Sequence, residues 1–159
     1  MQTFLPYAEF DRSAQVLDVR RLGKQRVEAL QVLRGLLVEG YGWRHHPAVR
    51  MWRGHPEALG CYGVTMALRW VSLGYADTVE ASLRRELAEV GIDTIRSQGE
   101  LQEVGGLPPW LGDTELHRSH QSNLVRKDPT WYRQFFPTVA ADLPYVWPAD
   151  PSVEAEERA

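Results

Sequence analysis

The stretch Ser13–Glu39, SAQVLDVRRLGKQRVEALQVLRGLLVE, decides how the chain is read. Val16, Val19, Val27, Leu30, Leu33 and Leu37 recur at the three-and-four spacing of one helix face. Ser13 stands where an N-cap belongs, since its hydroxyl can accept from an orphan N–H of the first turn. Gly40 stands where a helix stops. The spacing predicts a helix over 13–39. Gly23 falls on its apolar stripe, where glycine costs about 1 kcal/mol against alanine, so a close neighbour is expected there. On the opposite side Arg20, Lys24 and Glu28 follow at i, i+4 and i+8 and share one face.

Working outward, residues 1–12 hold Pro6 among Phe4, Tyr7 and Phe10 and read as an irregular arm. Further helices are expected over 56–73, with Pro56 in the first turn, over 77–90, closed by Gly91, and from a cap at Asp113 to about 127. Long loops are expected over 40–55 and 91–112, and Pro129 opens a short aromatic turn. Clean period-two alternation is missing, so the expected fold is all-α: a compact single-domain bundle of about four helices with long loops. The domain is expected to span 1–149, followed by an acidic, disordered tail over 150–159.

The chain has 159 residues, 43% of them hydrophobic and 25% charged, which excludes a wholly disordered protein. No apolar run approaches the ~20 residues of a membrane span. No charged-then-apolar leader opens the sequence, and Cys61 is the single cysteine, so a reducing, cytoplasmic setting and a buried thiol are expected. The net charge of −3 hides a sorting: segment 12–53 carries +6, 54–116 carries −6, and 117–149 carries +2. The histidines His45, His46, His55, His117 and His120 lie in or beside the basic blocks. A basic face of this kind suits a phosphate backbone. The only lysines are Lys24 and Lys127. Arginine stays protonated, so amine chemistry is confined to these two and the α-amine of Met1.

The polar face of the first helix adjoins a loop holding Trp43, Arg44, His45, His46, Arg50, Trp52, Arg53 and His55. Arginines for phosphates beside flat rings for bases is the equipment of nucleic-acid binding. Three blocks then carry a resemblance: Leu17–Glu28 (LDVRRLGKQRVE), His46–His55 (HPAVRMWRGH) running into Tyr62 and Gly63, and His120–Tyr132 (HQSNLVRKDPTWY) followed by Phe135 and Phe136. In this order, across roughly residues 1–147, the chain resembles the pyrimidine-dimer DNA glycosylases, the family of the bacteriophage endonuclease V type, in its bacterial branch.

The resemblance implies a helical, metal-free and cofactor-free DNA repair enzyme that excises UV-induced cyclobutane pyrimidine dimers from double-stranded DNA. In that scheme an amine attacks C1′, a Schiff base forms, and β-elimination nicks the strand at the abasic site. Position 2 is Gln, whose bulk disfavours removal of the initiator residue, so the nucleophile is expected to be the Met1 amine, with Lys24 as the rival. As a class, α-amines are less basic than lysine amines, so more of the neutral form exists at cellular pH. Ungapped matching sets Gly23 at the family's glutamate, and the acid–base role passes to Glu28. Expected DNA contacts are Thr3, Arg20, Arg21, Arg26, His46, Arg50, Arg53, His55, His117, Arg118, His120, Arg126, Lys127, Trp131 and Tyr132. A monomer, with no membrane and no obligate protein partner, acting at the nucleoid, completes the expectation. The alternatives are a glycosylase for another lesion, a non-catalytic nucleic-acid-binding module, and a metal hydrolase using His117 and His120 with His45, His46 or His55.

Overall fold

A computed structural model describes residues 1–150; the expected tail, Asp150 apart, lies outside the described residues. The described residues are all helical where regular, with no strand: α1 (Phe10–Val16), α2 (Val19–Leu37), α3 (Pro47–Arg50), α4 (Pro56–Ser72), α5 (Val79–Ala88), α6 (Gln98–Glu103), α7 (Thr114–Lys127) and α8 (Pro129–Tyr132). Those of ten residues or more are α2, α4, α5 and α7, the bundle the sequence predicts.

The helix expected over 13–39 is two helices. Leu17 and Asp18 are extended, and Asp18 caps α2 by accepting from the Arg21 N–H. Ser13 is no N-cap: it sits buried inside α1, its hydroxyl donating to the Tyr7 carbonyl at 3.0 Å. The break at 17–18 resets the helical phase, so a stripe drawn through Val16 cannot continue straight into α2. Within α2, Val19 and Val27 line an open groove with Gly23 and Trp70 and are 45% and 40% exposed, while Leu22, Gln25, Ala29, Leu30, Val32 and Leu33 are buried. Short helices also interrupt both expected loops. His46 caps α3 by accepting from the Ala48 N–H, and Ser97 caps α6 over the buried Leu101.

Helix α4 is the axis of the core, buried along most of its length from Ala58 to Ala67, with α1, α2 and α5 packed on it. Close approach depends on its glycines. A methyl group at Gly63 would lie 2.7 Å from Leu83 of α5 and 3.0 Å from Ala29 of α2. The neighbour expected against Gly23 is Trp70 of α4, whose ring would be 2.9 Å from an added Cβ.

The N-terminal arm threads into this core without regular structure, and residues 2–5 are buried. Buried backbone groups need partners, and here side chains supply them. Phe4 N donates to Gln25 Oε1 at 2.7 Å and Phe4 O accepts from the Tyr62 hydroxyl at 2.9 Å. Leu5 N donates to His120 Nδ1 at 2.9 Å, and Leu5 O faces His117 Nδ1 at 2.8 Å. Pro6 O accepts from Gln121 Nε2 at 2.8 Å. These bonds fix where the chain start emerges.

Candidate active site

The arm emerges beside the polar face of α2, and the two form the walls of a cleft of about 370 Å³. Met1, Arg20, Arg21, Lys24, Glu28 and Lys127 line it, with Gln2, Phe4, Gln25 and Tyr145. Glu28 is locked from below: Gln25 Nε2 donates to its Oε2 at 2.9 Å, and the Gln2 backbone N–H points at the same oxygen from 3.5 Å. Gln25 Nε2 also donates to Gln2 O at 3.0 Å, so one amide holds both the arm and the carboxylate. The Met1 amine and Glu28 are close enough to act in opposite senses on His46, whose pKa is lowered first by burial and then by the positive terminus, against Glu28. Tyr145, carried in on the C-terminal segment, has its phenol raised chiefly by burial, with Glu28 adding to the shift against Arg126.

The charge balance of this cleft is uneven. Arg21 is tied to Asp18 at 3.0 Å, but no ion pair holds Arg20, Lys24 or Lys127 among the described residues. Three primary amines, two guanidinium groups and one carboxylate therefore converge. This set can bind phosphates around a sugar, present a nucleophilic amine to it, and move a proton beside that amine.

The other expected DNA contacts divide. His46, Arg50, Arg53 and His55 lie on the α3 loop, half-buried or exposed. There Asp150 Oδ2 sits 2.5 Å from Arg53 Nη1 and 4.0 Å from Arg50 Nε, and Trp147 packs edge-on against His46. His55 Nδ1 faces the Gly106 carbonyl at 3.3 Å. Arg26 is engaged: it pairs with Asp77 at 2.5 Å and stacks over Trp70.

On α7 and α8 three of the seven expected contacts, His117, His120 and Tyr132, turn inward, as does Thr3 of the arm. Thr3 is fully buried and accepts from Trp52 Nε1 at 3.0 Å, which removes it from any DNA surface. His117 Nε2 accepts from Gly112 N, so its proton is on Nδ1, donated to Leu5 O. His120 Nδ1 accepts from Leu5 N, so its proton is on Nε2; burial drives its pKa down to about 3 and keeps it neutral. Neither histidine can grip a phosphate from these positions. Both Nδ1 atoms are spent on the arm, and no group of three or more His, Cys, Asp or Glu among the described residues is arranged to hold a metal. Tyr132 is buried with its hydroxyl on Asp18 Oδ1 at 2.7 Å, and Trp131 Nε1 donates to Val16 O at 2.8 Å. This pair clasps the α1–α2 break; Tyr132 is wholly buried there, while Trp131 stays 39% exposed. Arg126 reaches the Ala141 carbonyl and Asn123, and Arg118 lines a separate groove with Tyr7 and Arg12. Of the α7 cations only Lys127 lines the cleft. Cys61 is buried, as expected, and burial pushes its thiol up to about 11.

Sequence reasoning missed Gln2, Gln25 and Tyr145. Gln25 lies one residue past Lys24 and, as a neutral polar side chain, gives no signal until the arm is seen to need a donor and an acceptor.

The arm, the α2 face and the α3 loop all fall in the segment that a family model recognises, since the model of the pyrimidine dimer DNA glycosylases matches residues 1–83. The chain belongs to this family. No curated protein and no solved structure matches it. The glycosylase match thus covers Met1, Arg20, Lys24 and Glu28 but ends before α7, whose Lys127 completes the cleft. Among the described residues no helix is long and apolar enough to cross a membrane.

Proposed function

We propose that this glycosylase breaks the 5′ glycosidic bond of a cyclobutane pyrimidine dimer and nicks the strand through an imine on the Met1 amine. The observation that carries the reading is the convergence of the chain-start amine, Glu28 and unpaired cations in one cleft. The neutral amine attacks C1′ and the glycosidic bond breaks, its electron pair leaving with the base. Glu28 takes the proton from the new ammonium nitrogen and returns it to the ring oxygen O4′ as the sugar opens to the imine. Loss of the C2′ proton then drives out the 3′ phosphate by β-elimination.

Arg20, Lys24 and Lys127 hold phosphates on either side of the attacked sugar, and the α3 loop, with His46, Arg50, Arg53 and His55, follows the backbone outward. The protein acts as a monomer on double-stranded DNA, without a metal, wherever the genome lies. Lys24 lines the same cleft and is the alternative nucleophile.

The test is reduction by borohydride in the presence of a duplex carrying one cis-syn thymine dimer. A covalent protein–DNA adduct is expected, with the Met1 peptide attached. An adduct on the Lys24 peptide moves the nucleophile from the arm to α2. An adduct with abasic DNA but none with dimer DNA leaves a lyase for another lesion. The lack of both overturns the reading in favour of a binding module.

A further inference from the structure

Three buried side-chain nitrogens among the described residues have no hydrogen-bond partner: Gln2 Nε2, Arg26 Nε and His120 Nε2. Only Gln2 belongs to the wall of the cleft. A buried polar atom without a partner is destabilising, and in a native structure it calls for a reason. The orientation of this amide is fixed, because Thr3 N donates to Gln2 Oε1 at 2.9 Å and so leaves the NH2 end as the free one. The backbone of Gln2 is held as well, by Gln25 Nε2 at Gln2 O and by Glu28. The residue is 5% exposed, so the donor is preorganised rather than solvated. It is attached one residue from the amine that attacks.

We infer that the Gln2 side-chain amide is a catalytic donor to the O2 carbonyl of the leaving pyrimidine. The inference builds on the amine reading of the cleft. When the Met1 nitrogen bonds to C1′ and the C1′–N1 bond breaks, the electron pair passes to the base, and its charge is shared between N1 and O2, because the saturated C5–C6 bond of the dimer cuts N1 off from the other carbonyl. O2 is the base oxygen nearest C1′. A nucleotide whose C1′ rests on the Met1 amine brings O2 to the neighbouring residue of the same cleft wall. The Gln2 N–H then stabilises a charge that exists only as the bond breaks, and the base finally takes a proton at N1. The donor serves base departure alone. An abasic sugar has no O2, so the lyase half of the reaction does not use it.

The experiment separates the two halves. Gln2→Glu keeps an acceptor for Thr3 N and loses the donor; Gln2→Met removes the whole amide at similar length. Both keep a bulky second residue, so Met1 is retained. Each is compared with the wild type for single-turnover cleavage of the dimer's 5′ glycosidic bond, read as base released after photoreversal of the cyclobutane ring, and for borohydride trapping on a preformed abasic duplex, with thermal melts as a check on folding. Loss of a donor aimed at developing charge predicts a fall in base release of about tenfold or more, with abasic trapping within about twofold. Base release within about twofold of wild type in either folded variant overturns the inference, as does a parallel fall of both activities, which would make Gln2 a prop for Met1. A wild-type protein that is trapped on neither duplex overturns the amine reading itself, an outcome distinct from both.

Discussion

Helices α2 and α7 look alike in the sequence, each an amphipathic run with a basic polar face, yet the fold uses them in opposite ways. On α2 the polar residues Arg20, Lys24 and Glu28 face a cleft, and the cations are left without partners. On α7 the polar residues His117, His120 and Gln121 point at the N-terminal arm and are consumed by its backbone. The difference comes from the arm. An irregular segment can be buried only if side chains replace the hydrogen bonds of a helix or strand, and α7 is the helix that lies against it. One helix therefore lines the cleft and the other holds the chain start beside it.

The strongest way to break this contrast is at Glu28. Glu28→Gln is expected to slow base release by about 10²- to 10⁴-fold, the usual contribution of a general acid–base group, with an unchanged melting temperature. Loss of stability without loss of rate would make Glu28 a structural partner of Gln25.

His120 should behave in the reverse sense. Its folded pKa, about 3, lies below the ordinary histidine value of 6.5, so the unfolded chain binds the extra proton. The contribution is fully present above pH 6.5 and is lost as pH falls towards 3. The acid slope from this one group is at most about 1.4 kcal/mol per pH unit. His120→Asn keeps an acceptor for Leu5 N but does not titrate. Denaturant melts from pH 7 to 4 should show a flatter slope for this variant and a loss of about 1–3 kcal/mol at neutral pH. DNA affinity of the folded variant should not change; a weaker, less salt-sensitive complex would return His120 to the phosphate contacts.

Smaller effects sharpen the contrast between the two sets of cations. Arg20→Gln or Lys127→Gln should each reduce the slope of log affinity against log salt by about 1, measured by titrating a labelled duplex at several salt concentrations. Arg118→Gln, on the far groove, should leave that slope unchanged. The smallest effect is expected at Asp150, whose carboxylate lies between Arg50 and Arg53 where a phosphate would sit. Asp150→Asn should tighten duplex binding by about two- to fivefold at low salt, in line with the modest worth of partly exposed ion pairs. Unchanged or weaker binding would take that arginine pair out of the DNA path.

Much of this was legible from residue order. Helix spacing and Gly and Pro punctuation gave α4, α5 and α7 nearly to their ends, because those signals act within one or two turns. The same holds for the shared face of Arg20, Lys24 and Glu28, which depends only on the 3.6-residue repeat. The split of 13–39 at Asp18 was not legible from periodicity, since a capping aspartate inside an apolar run looks the same as a solvated one until Tyr132 is found on its carboxylate. Likewise the histidines of α7 read as phosphate ligands because nothing local records that Leu5, 112 and 115 positions away, will need them. Sequence alone determined the all-α class and the set of amines and carboxylates available for chemistry, because composition and short-range spacing fix those. Only the tertiary structure decided which of them meet. Burial of the arm is a long-range event, and its unpaired backbone groups are what assign each polar side chain to the core or to the cleft.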